Sequence, residues 1–367
     1  MRVYLLVLFV AAFTTFILSG LARAIAQRTG AMAPVRDRDV HAVPIPYFGG
    51  IAMLGGLAVA FLLASQLPFL GRHPAVSHDA MAVLAAGFII TIVGALDDIY
   101  DLSAMVKLAG QVLAAGVAVA QGVRIYWIPL PDSIFALDDA SSILITVFFI
   151  ALCVNAVNFV DGLDGLAAGI VAIGAGAFFA YSYFLAYEQE LVLATTASLI
   201  TVATCGICLG FLGHNFYPAR MFMGDSGAML LGLLMAMSAI SFTGQIDSRA
   251  LTASGGDILP AMLPILLPVA ALALPFLDLV LAYIRRTRRG QYWFVADKQH
   301  LHHRLLDRGH SQVGAVLLMY GWSLVVSGGL VVLAMTNGPM IPWLVAGSVL
   351  LVLALTLWPV RTAGSSE

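Results

Sequence analysis

Four short stretches of this sequence concentrate side chains that could do chemistry. Asp97-Asp98-Ile-Tyr-Asp101-Leu closes an apolar run. On a helix Asp97 and Asp101 share a face, with Asp98 beside them. Like charges repel, and carboxylates beside lipid are costly, so the cluster calls for an offsetting cation. The simplest is Mg²⁺, a hard ion that takes one or two carboxylates together with phosphate oxygens. Solvated loop acids are the plainer reading, but a loop does not usually set paired aspartates directly against an apolar span.

The second stretch runs Asn155-Ala-Val-Asn158-Phe-Val-Asp161-Gly-Leu-Asp164-Gly165 between two apolar segments. Asn155, Asn158 and Asp161 recur every three residues, and Gly162 and Gly165 permit turns and close ligand approach. A capping turn would account for one Asn and one Asp; four such groups suit a polyhydroxylated or nucleotide ligand. The third is Phe222-Met223-Gly224-Asp225-Ser226-Gly227, where Asp225 opens an apolar helix. Alone, Asp225 reads as a helix cap, although the flanking glycines leave room for a phosphate or a metal at the same end. The fourth is Asp297-Lys-Gln-His300-Leu-His302-His303-Arg304, downstream of Arg285, Arg286, Arg288 and Arg289. Zinc sites space their ligands differently, and recognition of an anion fits this charge better. Lys107 follows the first aspartates at the start of an apolar run, where it could pair with them, meet a phosphate, or act as a snorkelling anchor.

The elements that must position these groups are membrane helices. Hydrophobic residues make up 61% of the 367, charged residues only 10%, and the mean hydropathy is +0.96. A soluble domain carries about 25% charged residues to face water, so lipid must be the outer solvent here. With about 20 apolar residues per crossing, spans are expected near 3–26, 47–67, 80–96, 105–122, 142–157, 163–186, 192–213, 226–244, 258–284, 313–335 and 341–359. The connectors are too short for an independent core, so residues 1–367 read as one all-α, polytopic domain of about 10–11 transmembrane helices. The first run resembles a signal peptide, but arginines follow it, and it reads as a retained helix. Cys153, Cys205 and Cys208 read as small buried hydrophobes.

With the N-terminus outside, 14 of the 18 lysines and arginines fall on inside segments, which fixes the orientation by the positive-inside bias. All four chemical stretches then lie at inner helix ends.

Taken in order, Pro44-Ile-Pro46-x-x-Gly49-Gly50, Asp97-Asp98-x-x-Asp101-Leu102, Asn158-x-x-Asp161-Gly-x-Asp164-Gly-Leu-Ala, Phe-Met-Gly-Asp225-Ser-Gly and His300-Leu-His302-His303 resemble the polyprenyl-phosphate N-acetylhexosamine-1-phosphate transferases. The resemblance runs from about Arg36 to about Gly309 and is closest to the branch that uses UDP-N-acetylglucosamine; the Pro-x-His-His-His of the phospho-MurNAc-pentapeptide branch is absent. Ala228 stands where the family usually has Ser. The resemblance implies transfer of GlcNAc-1-phosphate from a UDP-sugar to undecaprenyl (polyprenyl) phosphate with release of UMP. That is the first step of a lipid-linked envelope glycan such as O-antigen, enterobacterial common antigen, teichoic acid or the mycobacterial linker. It implies a multi-pass protein of the bacterial inner membrane with its site on the cytoplasmic side, no nucleic-acid partner, and a homodimer.

For the residues, the resemblance implies Asp225 as ligand of Mg²⁺ (Mn²⁺ being the alternative), with Asn158 as a second ligand. Asp97 and Asp98 would manage the lipid phosphate, Lys107 would meet the diphosphate, and Asp161 and Asp164 would shape the nucleotide side. His300, His302, His303 and Arg304 would contact the sugar phosphate or the sugar. Another N-acetylated amino sugar would suit the same motifs. Two competing classes fit less well. An intramembrane prenyltransferase needs a second aspartate-rich motif, and a cation-coupled transporter usually shows a repeat and places its polar groups near mid-membrane.

Overall fold

A computed structural model describes residues 1–33, 44–130, 133–188, 194–245, 266–267, 269–270, 272–288, 301–336 and 338–358. The helices in chain order are α1 (Arg2–Thr29), α2 (Gly49–Gln66), α3 (Pro74–Tyr100), α4 (Ala104–Ala120), α5 (Asp139–Val160), α6 (Leu166–Glu188), α7 (Ala194–Asn215), α8 (Gly224–Gln245), α9 (Ala273–Arg288), α10 (Leu301–Asp307), α11 (Gln312–Met335) and α12 (Ile341–Leu357). Eight are long and apolar enough to cross a bilayer, and α4 and α12 are shorter apolar helices. At 17 residues each, these two reach about 26 Å, close to the hydrocarbon thickness of a bilayer. The all-α polytopic reading therefore holds. The expected span at 258–284 lies partly outside the described residues; most of its described part belongs to α9, which runs on to Arg288.

Two details depart from expectation. Short antiparallel pairs interrupt the helical pattern: β1 (Met32–Ala33) with β2 (Ile45–Pro46), and β3 (Trp127–Leu130) with β4 (Ser133–Ala136). They lie between spans, where helical periodicity carries no signal. In addition, α11 contains a single π-helical turn at Leu324–Gly328, the kind of local widening that hydropathy does not register.

The layering follows from what each helix face must meet. Phe9 and Phe13 on α1, Leu62 on α2, Phe88 on α3 and Leu144 and Phe148 on α5 are exposed, as lipid-facing residues must be in a protein whose solvent is hydrocarbon. The axis is α8, every side chain of which from Ser226 to Thr243 is buried. Helices α2, α3, α5, α6 and α7 surround it, and α1 lies outside α2 and α7. Among lipid tails, burial supplies little drive for helices to associate, so close backbone approach must hold them together, and small residues permit it. At Gly210 of α7 a Cβ would stand 2.1 Å from the carbonyl oxygen of Ala12 on α1.

Gly210→Ala is therefore expected to force α1 away from α7 and to destabilise the protein by about 1–3 kcal/mol, the usual cost of overpacking. Thermal unfolding in detergent measures it; an unchanged midpoint would show that the two helices do not depend on this contact.

Candidate functional site

The C-terminal ends of α3 and α5 and the N-terminal ends of α4 and α8 meet on one face of the bundle. At their junction stands Asp225, the second residue of α8. Its Oδ2 accepts hydrogen bonds from Lys107 Nζ at 2.9 Å and from Asn158 Nδ2 at 3.3 Å. The same ammonium lies 2.5 Å from Asp97 Oδ2, so Lys107 bridges two carboxylates, one from α3 and one from α8. Asp97 is buried, and its other oxygen accepts from the Leu102 amide at 2.8 Å. Lysine at this point is thus paired, and the snorkelling reading of Lys107 falls away.

Asp98 does something its sequence position does not announce. Its Oδ1 accepts from the Asp225 amide at 2.7 Å, and its Oδ2 accepts from the Ser226 hydroxyl at 2.9 Å. The carboxylate therefore caps the N-terminus of α8 from a different helix, where unpaired amides and the helix dipole both favour a negative charge. The close fit explains the glycine before Asp225. Gly224 has φ 68°, and a Cβ there would meet the Asp98 oxygens at 2.3 and 2.5 Å. Gly94, one turn before Asp98, is equally constrained by the Ser226 backbone at 2.4 Å.

Asp101 is not brought into this group. It ends α3 in the left-handed conformation (φ 51°), which Asp tolerates, and donates its amide to the Asp97 carbonyl at 2.9 Å. It is exposed, so the shared face expected from four-residue spacing is lost where the helix stops. The Pro44-to-Gly50 motif has a positional role. Phe222 donates to the Pro46 carbonyl, while Gly49 and Gly50 donate to the carbonyls of Phe222 and Met223, at 2.9–3.2 Å. The start of α2 is thereby zipped to the strand of chain that enters α8.

The segment after α5 is built from two consecutive turns. Asp161, at φ −76° and ψ 62°, is the centre of an inverse γ-turn closed by Gly162 N–H on the Val160 carbonyl at 2.8 Å. Leu166 then donates to the Leu163 carbonyl, with Gly165 at φ 75°. Asp164 Oδ2 accepts from the Ala219 amide at 2.9 Å, and Asn215 bridges Gly165 N–H to the Met221 carbonyl, with both bonds at 3.0 Å. The Asp161 carboxyl is pushed up to about 8, first by its enclosure and then by the negative charges of Asp225, Asp98 and Asp164. A divalent cation here would reverse that electrostatic pressure.

Two residues of the site escaped sequence reading. Asn215 sits at the end of α7 without a motif around it. Gln111, one turn into the membrane from Lys107, is buried and accepts from Asn155 Nδ2 at 2.7 Å. A second polar layer, Gln111 with Asn155, thus underlies the layer of Lys107, Asn158 and Asp225. The signal for Gln111 was a lone amide in an apolar run, four residues after a lysine. Of the fourth stretch, His300 and the side chains of His302 and His303 lie outside the described residues; Arg304 is exposed on α10.

Asp225 supplies a carboxylate to a half-buried, acid-rich site, with the side-chain amide of Asn158 against it. No three Asp, Glu, His or Cys side chains converge into a closed metal cage among the described residues. That donor set fits Mg²⁺, which keeps part of its shell for water and substrate phosphates, and it fits zinc poorly.

Residues 80–243 match the family described as Glycosyl transferase family 4. The chain is 46% identical over 323 residues to the decaprenyl-phosphate N-acetylglucosaminephosphotransferase of Mycobacterium tuberculosis, covering 87% of this chain and 80% of that protein. It is 35% identical over 309 residues to the probable undecaprenyl-phosphate N-acetylglucosaminyl 1-phosphate transferase of Bacillus subtilis, covering 84% and 78%. Similarity to the phospho-N-acetylmuramoyl-pentapeptide-transferase of Desulforudis audaxviator is 33% over 226 residues, covering 55% of this chain and 64% of that one.

The state of Asp161 gives a test of the site's electrostatics. An aspartate titrates near 3.9 when unfolded and at about 8 here, so between those values the folded protein holds the extra proton. Stability must therefore fall as pH rises through that window. In EDTA, Asp161→Asn is expected to unfold at a higher temperature than wild type, by a margin that widens from pH 5 to pH 8. Mg²⁺ should narrow it. A margin independent of pH would mean that Asp161 is already ionised.

Proposed function

The chain belongs to the polyprenyl-phosphate N-acetylglucosamine-1-phosphate transferases of glycosyl transferase family 4, and we propose that it transfers GlcNAc-1-phosphate from UDP-GlcNAc to a polyprenyl phosphate at the cytoplasmic face of a bacterial inner membrane. The observation that carries this reading is the Lys107 ammonium held between Asp97 and Asp225 beside Asn158, a cationic point in an acidic site at a membrane-helix end. Such a point suits two phosphate-bearing substrates of which one arrives from lipid and the other from water.

In the reaction an oxygen of the lipid phosphate attacks the sugar-bearing phosphorus of the UDP-sugar. A new P–O bond forms, the anhydride bond to the other phosphorus breaks, and UMP leaves with the electron pair. A phosphate monoester has its second pKa near 6, so the nucleophile is already anionic at neutral pH and needs little help from a base. The protein's task is positioning and charge stabilisation. Asp225 and Asn158 would hold Mg²⁺, which when bound neutralises charge on the diphosphate oxygens. Lys107, released in part from its carboxylates, would meet the same diphosphate. Asp97 would face the incoming lipid phosphate. Asp98 keeps Asp225 in place by holding the amide of that residue. Asp161 and Asp164 would border the nucleotide, and Arg304 with His300, His302 and His303 would reach the sugar phosphate.

The cytoplasmic assignment rests on charge: the site's face is the one that carries most of the lysines and arginines. The N-acetylglucosamine assignment rests on the relatives named above and on the absence of the Pro-x-His-His-His motif. The product is a polyprenyl-diphospho-sugar, the starting unit of an envelope glycan. We read the functional unit as a homodimer of this chain, in line with the family resemblance.

UMP release by purified protein given undecaprenyl phosphate, Mg²⁺ and a panel of UDP-sugars tests the reading. Release is expected with UDP-GlcNAc, abolished by EDTA, and lowered at least about 100-fold in Asp225→Asn, the scale on which loss of a transition-state charge stabiliser is felt. Release with a different UDP-sugar alone would correct the donor; release with none would sink the activity.

A further inference from the structure

We infer that Tyr320 is a positioning residue that fixes the aspartate turn from outside the motifs. Tyr320 lies on α11, and its hydroxyl donates to the Gly165 carbonyl at 2.5 Å. Gly165 is the residue whose amide is held by Asn215 and which immediately follows Asp164. The peptide groups on both sides of this residue are thus gripped, one by α7 and the other by α11 together with the Gly169 amide, which donates to the same carbonyl at 3.0 Å. The ring has a seat made for it. At Gly169, the fourth residue of α6, a Cβ would stand 2.0 Å from both Cζ and the hydroxyl oxygen of Tyr320, so the ring occupies the place where any other residue would put its side chain. Gly165 itself is closed in by Phe216, Tyr320 and Leu212, all at 3.2–3.4 Å from where a Cβ would be.

The consequence is mechanical. Asp161 and Asp164 sit on two consecutive turns with few backbone bonds of their own, and a turn keeps its shape only while its ends are held. The α11 anchor also ties this loop to the segment that carries Arg304. The His310 amide donates to the Leu305 carbonyl, Leu305 is buried in the core, and Ser311 caps α11 through Gly314 N–H. A donor substrate that touches both the aspartate turn and the arginine segment therefore meets two parts of one braced unit. The inference rests on the reading that this turn faces the nucleotide end of the UDP-sugar.

Tyr320→Phe tests it, because the ring and its packing are kept and only the hydroxyl goes. The loss of one net hydrogen bond corresponds to a change of about five-fold. The expected result is a rise of that size in KM for UDP-GlcNAc, with KM for undecaprenyl phosphate unchanged and the unfolding midpoint lowered by no more than about 2–4 °C. Hydrogen–deuterium exchange on the same variant should show faster exchange at the Gly165 and Gly169 amides. Unchanged kinetics in the variant, or a shift confined to the lipid phosphate, would overturn the inference while leaving the transferase reading intact. If wild type releases no UMP, the transferase reading falls and exchange alone decides whether the clamp exists: unchanged exchange would show that the hydroxyl positions nothing.

Discussion

The structure depends on one electrostatic problem, which is how to keep several carboxylates together at the edge of a membrane. Asp97, Asp98, Asp161, Asp164 and Asp225 all belong to this region; Asp97 is buried and the other four are partly so. The protein answers in three ways. One lysine bridges Asp97 and Asp225. The backbone amides at the start of α8 satisfy Asp98. The amide of Ala219 satisfies Asp164. Among the described residues none offsets the charge of Asp161 in this way, and its carboxyl is driven toward the neutral form. What is left over is an appetite for positive charge, and a transferase of phosphorylated sugars has a use for it.

The helices look different in that light. The α3–α8 contact is held at Gly94 and Gly224 to a distance at which a carboxylate can cap a neighbouring helix. The start of α2 is bonded to the chain entering α8, so the aspartate cannot drift away from its partners. Below the layer of Lys107, Asn158 and Asp225, Gln111 and Asn155 fasten α4 to α5 and thereby set where Lys107 and Asn158 stand. The polar groups of the candidate site come from different helices, and their mutual distances are those of the helix packing itself.

Much of this was legible in the sequence, for identifiable reasons. Hydropathy found the spans, because a bilayer demands about 20 apolar residues whatever the fold. The aspartates stand out because charge is rare in such a chain, and Asp97, Lys107, Asn158 and Asp225 all fall where a polar group breaks an apolar run. What spacing could not give was the division of labour. Asp97 and Asp98 are neighbours in sequence, yet one meets the lysine and the other caps α8, a difference decided by a helix 127 residues away. Asp101 was placed on a helical face that ends before it is reached. Asn215 and Tyr320 lack any local pattern and Gln111 shows only a lone amide, since each acts through a long-range hydrogen bond to another element. The short β pairs and the π turn were silent because neither disturbs the apolar count.

The burial of α8 has a consequence for how the protein is made. Its apolar stretch is the least hydrophobic of the eight long ones, and it carries Asp225 at its start. Because its side chains from Ser226 to Thr243 face protein and none faces lipid, selection on those positions answers to neighbouring helices and not to the bilayer. A helix of that kind gains little from partitioning into lipid alone. It is best received by a membrane in which α2, α3, α5, α6 and α7, all earlier in the chain, already wait as a polar-tolerant cradle. The order of synthesis supplies that: the segment that completes the candidate site emerges from the ribosome after the helices that make it comfortable, so completing that site and the last step of inner-bundle assembly are the same event.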